Sequence, residues 1–329
     1  MKSGIRWSKA VMGFIVLGGL ALVVSMGVAT ATSVTVSGRQ LRVNGQTFIV
    51  KGVGYSPTPI CDDPKTSPNG DYFTAEYRAL YERDLPLMRQ MGVNTIRLWS
   101  WVAGRDHSDF LSKAYNNGVD PIYVIIPFDF SGEITNSASR TLIKSRFRNQ
   151  VAAYKSYPAV LMWALGNELN SAAIYGGNPD AGGNLTNFFS LVNELAAEAH
   201  AEEGTNAHPV TVPLADENVI QTISAFNSLV TNLDVWSIQP YRGGTFGTLF
   251  SQYAAASTKP LVLTEFGVDA FDNTADQEYE LVGTAQQAVY TGALWDEIAA
   301  NSAVCAGGCV MEYRDEWWKG TQGRGDWDV

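Results

Sequence analysis

The stretch LMWALGNELN, residues 161–170, is an apolar run that ends on Asn167 and Glu168, and KPLVLTEFG, residues 259–267, is a second such run that delivers Glu265. The two glutamates lie about 100 residues apart, and a closed barrel of parallel strands is an architecture that brings such strand ends together around one pocket. Two facing carboxyls are what glycosidic bond cleavage requires. One, protonated, assists the leaving oxygen; the other, ionised, attacks the anomeric carbon or activates water. An ionised neighbour makes the second carboxyl hold its proton, which separates acid from nucleophile. Asn167 is placed to hydrogen-bond a sugar hydroxyl near the reacting carbon. Taken singly, G-N-E and T-E-F-G are weak signals, because Asn and Glu commonly begin helices after strands. The signal is the pair, at the ends of strands of matching rank.

The elements that would position this pair follow from the rhythm of the chain. Short β-branched or apolar runs recur at residues 48–53, 93–98, 122–126, 160–165, 210–214, 235–238, 261–263 and 309–313. Between most of them lies helical periodicity, clearest at Leu185, Phe188, Phe189, Val192, Leu195, Ala196 and Ala199. A second set runs Leu281, Ala285, Ala288 and Trp295, and a third, from Tyr77 to Met91, is interrupted at Asp84-Leu85-Pro86, where Asp84 is read as a cap or a bend. Nearly continuous apolar strands alternating with helices imply parallel strands covered on both sides. Eight of them at roughly 40-residue intervals predict an α/β fold, a (β/α)8 TIM barrel. A doubly wound sheet is disfavoured, since no G-x-G-x-x-G or P-loop follows any strand. Ahead of the first strand, VTVSGRQLRVNGQTFIV predicts a β-hairpin, and the residues after Tyr313 carry no helical pattern, so the eighth helix is expected to be missing or truncated.

Composition narrows the function classes. Apolar residues make up 46% and charged residues 17% of the 329, the profile of a well-buried globular enzyme. A net charge of −10, with no basic cluster beyond Lys144–Arg148, excludes a phosphate backbone as partner. Lys2, Arg6 and Lys9 precede an apolar segment ending in Ala29-Thr30-Ala31, so residues 1–31 read as a signal peptide, or as a signal anchor if uncleaved. Residues 32–329 then form one exported catalytic domain, secreted, periplasmic or extracellular, and membrane-bound only through that segment. Cys305 and Cys309 enclose only Ala-Gly-Gly, a short loop that closes as a disulfide if its geometry allows. The three histidines lie at no metal-ligand spacing, and no cofactor is expected.

The segments FIVKGVGYSP, DLPLMRQMGVNTIRLW, YPAVLMWALGNELN, VWSIQPYRG, KPLVLTEFG and CVMEYRDEWWKG resemble, in order and spacing over residues 40–320, the clan A retaining glycoside hydrolases of the 4/7 superfamily. The first two look most like β-1,3-glucanosyltransferases, and the strand-four segment equally like family 2 and family 5 enzymes. The resemblance implies that Glu168 is the acid/base and Glu265 the nucleophile. It further implies that Asn167 contacts the sugar 2-hydroxyl, Arg97 lies beneath the nucleophile, Tyr241 hydrogen-bonds it, and Trp317 or Trp318 forms a sugar platform. Because sugar faces stack on aromatic rings, Tyr55, Trp99 and Trp101 are further candidate subsite walls. Asp129, Asp216, Glu217, Asp315 and Glu316 also lie near strand ends, where solvated loop charge is the simpler reading. The expected function is retaining hydrolysis of a β-linked polysaccharide, a β-glucan for preference, through a covalent glycosyl-enzyme. The alternatives are a β-1,3-glucanosyltransferase on the same scaffold and a non-catalytic cell-wall carbohydrate-binding protein.

Overall fold

The computed structural model describes residues 32–130, 134–171, 184–272, 274–275, 277–278, 282–316 and 318. The signal segment, Leu281 and Trp317 lie outside them. Eight strands close a barrel of parallel strands: β4 (Val50–Gly54), β5 (Thr95–Arg97), β6 (Tyr123–Phe128), β7 (Val160–Leu165), β8 (Val210–Ala215), β9 (Val235–Gln239), β10 (Leu261–Phe266) and β13 (Cys305–Val310), which pairs back onto β4. Strands β6, β7, β8, β9 and β10 are buried at every residue, which is why they read as unbroken apolar runs. The helices α1 (Arg78–Gln90), α2 (Ser108–Tyr115), α3 (Ser137–Tyr154), α4 (Leu185–Glu203), α5 (Val219–Phe226), α6 (Leu249–Ala256) and α7 (Gln286–Ala300) connect them. Two short strands, β11 (Phe271–Asp272) and β12 (Gln277–Glu278), pair antiparallel after β10. Among the described residues no helix is long and apolar enough to cross a membrane, and no eighth barrel helix is present.

The N-terminal segment forms three antiparallel strands rather than a hairpin: β1 (Val34–Ser37), β2 (Gln40–Val43) and β3 (Gln46–Phe48). The turn from β2 to β3 uses Asn44 and Gly45, both at positive φ (52° and 79°), the geometry an Asn-Gly hairpin turn selects. Val34, Leu41 and Val43 bury against Tyr123, Leu161, Val235 and Val262, which open their barrel strands, so the sheet floors the barrel. Each such side chain contributes roughly 1.5–3 kcal/mol relative to exposure. Arg39 ties the same sheet to α6 through the carbonyls of Ala254 and Ser257, both at 2.7 Å.

Strand eight corrects the sequence reading. It begins at Cys305, not Cys309, because Cys-Ala-Gly-Gly-Cys is the strand itself. Gly307 has φ 110°, and a Cβ there would lie 2.2 Å from the Val50 carbonyl oxygen, so only glycine lets β13 reach β4. Cys305 and Cys309 are then about 13 Å apart along one strand, too far for a disulfide. Both are buried free thiols. Helix α1 is a second correction, since it runs on through Pro86 and its N-cap is Tyr77 rather than Asp84. Asp84 is buried, accepts from Tyr55 Oη at 2.9 Å and Arg83 Nε at 2.7 Å, and lies 3.5 Å from Arg314 Nη1. With Tyr313 N donating to Gly54 O at 3.1 Å, it ties the residues after β13 to those after β4 across the seam of the barrel.

Candidate active site

Glu265 stands near the C-terminal end of β10, only 7% exposed, and its carboxylate collects four donors. Oε1 accepts from Arg97 Nη1 at 2.6 Å, Gln239 Nε2 at 2.7 Å and Trp99 Nε1 at 2.8 Å; Oε2 accepts from the Tyr241 hydroxyl at 2.7 Å. Arg97 ends β5 and Gln239 ends β9, so three barrel strands converge on one carboxylate. The guanidinium, 1% exposed, makes this ion pair and a second bond from Nη2 to Asn167 Oδ1. Asn167 Oδ1 also accepts from Gln239 Nε2 at 2.9 Å. Two donors on that oxygen fix the amide, leaving its NH2 as the group able to donate elsewhere.

Glu168 follows β7 in a sharp reversal. Gly166 has φ 66° and Glu168 φ 55°, the left-handed region that costs a non-glycine residue about 1 kcal/mol or more. The strain is held by neighbouring strand β8: Glu168 N donates to Pro213 O at 3.0 Å, while Asn170 and Ala215 exchange bonds of 2.9 and 3.1 Å. The apolar run thus stops at Gly166 because the chain must turn, and the turn presents the carboxylate. Tyr241 sits after β9, half exposed as a residue but with its hydroxyl turned onto Glu265, and that hydroxyl is pushed far above the ordinary tyrosine range. Burial is the largest cause, followed by the charge and hydrogen bond of Glu265, with Glu168 adding a smaller push.

The remaining candidates divide. Trp99 bonds to Glu265 and carries the Arg97 guanidinium 4.1 Å over its ring. Trp318 is half-buried past β13, and Trp317 is outside the described residues. Tyr55 is no subsite wall: it is fully buried, with its ring against Phe73 and Tyr313 and its hydroxyl on Asp84. Trp101 is likewise core, stacked 3.7 Å from His107. Asp216 is engaged by Arg242 in two bonds of 2.6 Å, and Glu217 accepts from Ser171 Oγ. Asp129 opens onto the barrel mouth just past β6. Desolvation by the surrounding protein raises its carboxyl above the usual range, against the pull of Arg97 and Arg146. Gln239 was not singled out from sequence. Its signal is a polar residue closing the buried run VWSIQ, where the strand emerges into the site. Among the described residues no group of three or more His, Cys, Asp or Glu is placed to hold a metal ion.

Residues 23–176 match the glycoside hydrolase 72 family model, described as glucanosyltransferase, a span that includes Arg97, Asn167 and Glu168. The chain is similar to 1,3-beta-glucanosyltransferase GAS2 of Saccharomyces cerevisiae, 24% identical over 39% of this chain and 24% of the relative. To GAS5 of the same yeast it is 22% identical over 92% of this chain and 60% of the relative. The match thus spans less than two thirds of the length of these relatives. Among solved structures it resembles a variant of Saccharomyces cerevisiae Gas2p in complex with laminaritetraose and laminaripentaose, with TM-score 0.61, 17% identity, and 87% of this chain on 61% of that one. A family 2 beta-galacturonidase from Eisenbergiella tayi has the same TM-score at 16% identity, covering 89% of this chain and 50% of that one. Barrel and similarities together fit a clan A type (β/α)8 glycoside hydrolase. On that scaffold Glu265 and its four donors lie at the C-terminal strand ends, the face where such barrels carry their sites.

Proposed function

We propose that the chain is a retaining β-1,3-glucan-active glycosyl-transfer enzyme, a β-1,3-glucanosyltransferase for preference. Glu265 attacks the anomeric carbon and Glu168 protonates the leaving oxygen. Glu168 then deprotonates an acceptor sugar hydroxyl, which receives the glycosyl group. The observation that carries this reading is the cage on Glu265: an arginine and three further donors hold and orient its carboxylate, as a nucleophile requires. Asn167, its oxygen held by Arg97 and Gln239, donates its NH2 to the 2-hydroxyl of the reacting sugar. The glucanosyltransferase similarity over residues 23–176, and laminari-oligosaccharides bound to a fold neighbour, favour transfer on β-1,3-glucan over the plain hydrolysis expected at first. Residues 1–31 act as an export signal, which delivers the enzyme to extracellular glucan. Incubation with laminari-oligosaccharides and mass spectrometry tests the reading. Transfer gives products longer than the substrate, hydrolysis gives shorter ones alone, and both vanish in Glu168→Gln and Glu265→Gln; turnover retained in either variant refutes the assignment.

A further inference from the structure

Resting on that reading, we propose that Trp99 is a positioning residue for Glu265, which together with Arg97 and Gln239 holds Oε1 out of the reaction and leaves Oε2 as the attacking atom. Its indole N–H reaches Oε1 at 2.8 Å, where Arg97 and Gln239 also donate. A carboxylate oxygen offers about two lone-pair sites, so three donors saturate Oε1. Oε2 receives the single Tyr241 bond and retains a lone pair for the anomeric carbon.

The setting of Trp99 is that of a fixed donor rather than a sugar platform. Arg97 lies over its ring at 4.1 Å. Its far edge fills the space left by Gly54, where a Cβ would come within 2.3 Å of Cη2. The loop beyond it is pinned by Asp71, which accepts from Val102 N at 3.0 Å and His107 Nε2 at 2.9 Å. The indole is therefore wedged between β4 and the guanidinium with its N–H aimed at one oxygen.

In the reaction, the Oε2–C1 bond forms as the glycosidic C1–O bond breaks. The bonding pair stays on the leaving oxygen, which takes the Glu168 proton. Oε1 becomes the ester carbonyl and keeps its three donors. In the second half Glu168 takes the acceptor hydroxyl proton, the acceptor oxygen bonds C1, and the Oε2–C1 pair returns to Glu265.

Three measurements test this. In a ¹⁵N-tryptophan-labelled sample, the Trp99 indole N–H resonance lies downfield and moves upfield in Glu265→Gln; an indole that ignores that substitution overturns the contact, whether or not any glycan is turned over. Trp99→Phe keeps the ring and removes the donor. It is expected to lower kcat by about 10- to 100-fold with little change in KM, and to move the acidic limb of kcat/KM to higher pH. A raised KM with unchanged kcat and limb identifies a stacking wall and overturns the proposal. Finally, a crystal of the wild-type enzyme trapped with a slow-turnover fluoroglycoside of the β-glucan series is expected to show the ester through Oε2, and an ester through Oε1 overturns the assignment of the attacking atom.

Discussion

Replacing Arg97 by methionine isolates the energetics of the site. The guanidinium is 1% exposed and the carboxylate it faces 7%, so Arg97→Met leaves a charge that water reaches poorly, along with an Asn167 oxygen short of one donor. Removing one partner of a buried pair costs about 3–5 kcal/mol. Trp99, Gln239 and Tyr241 still donate to Glu265, which places the expected loss near ~3 kcal/mol. Methionine is similar in length and apolar, so little of this arises from a cavity. The decisive quantity is the coupling. In a Glu265→Gln background the carboxylate charge is already gone, and Arg97→Met then removes a guanidinium that had itself lost its counter-charge. The two costs are expected to fall short of additivity by at least ~2 kcal/mol in urea unfolding followed by tryptophan fluorescence. Coupling below about 0.5 kcal/mol, the value of an exposed pair, would refute the picture of a desolvated ion pair beneath the mouth.

Three further outcomes follow from the same structure. Tyr241→Phe deletes the one bond to Glu265 Oε2 and is expected to lower kcat/KM on laminari-oligosaccharides by about 10- to 100-fold at unchanged fold, read by circular dichroism; an unchanged rate would mean that the bond is not made during turnover. Burial pushes the Cys305 and Cys309 thiols up to about 12 while Cys61 is exposed, so a disulfide-exchange reagent should titrate one thiol in the native protein and three after denaturation. A native count other than one contradicts the placement of strand eight. The hydrogen bond to Asp234 raises His200 above its ordinary 6.5, against some opposing desolvation. Because the folded value is the higher one, the stabilisation is complete below pH 6.5 and fades as pH rises through the folded value. The Tm advantage of the parent over His200→Gln should therefore shrink between about pH 6 and pH 9; an advantage that grows with pH would reverse the assignment.

Much of this arrangement was legible in the residues. Glu168 and Glu265 stand out because each is polar and ends, or closely follows, an apolar run, whereas Arg97 and Tyr241 were reached only through the family resemblance. Less visible was anything decided by packing. Cys305–Gly308 has the composition of a loop, yet it forms a strand because its small side chains let β13 approach β4 and β10, and tertiary fit overrides local propensity there. Tyr55 and Trp99 are equally aromatic and equally near strand ends; only the partners, Asp84 in one case and Glu265 in the other, separate a buried seam residue from a member of the site. Asp84 looked like punctuation beside Pro86, since sequence shows neither the burial of its carboxylate nor the arrival of Arg314 from the far end of the chain.

The central claim is that Glu265 becomes covalently glycosylated and passes its sugar on. Intact-protein mass spectrometry during reaction with a slow-turnover fluoroglycoside of the β-glucan series reads this directly. The predicted result is a mass increase of one glycosyl unit that maps to the peptide containing Glu265, is absent in Glu265→Gln, and disappears on addition of laminari-oligosaccharide as transfer product accumulates. A protein that turns over laminari-oligosaccharides yet never carries the adduct, or carries it on another residue, would contradict the account.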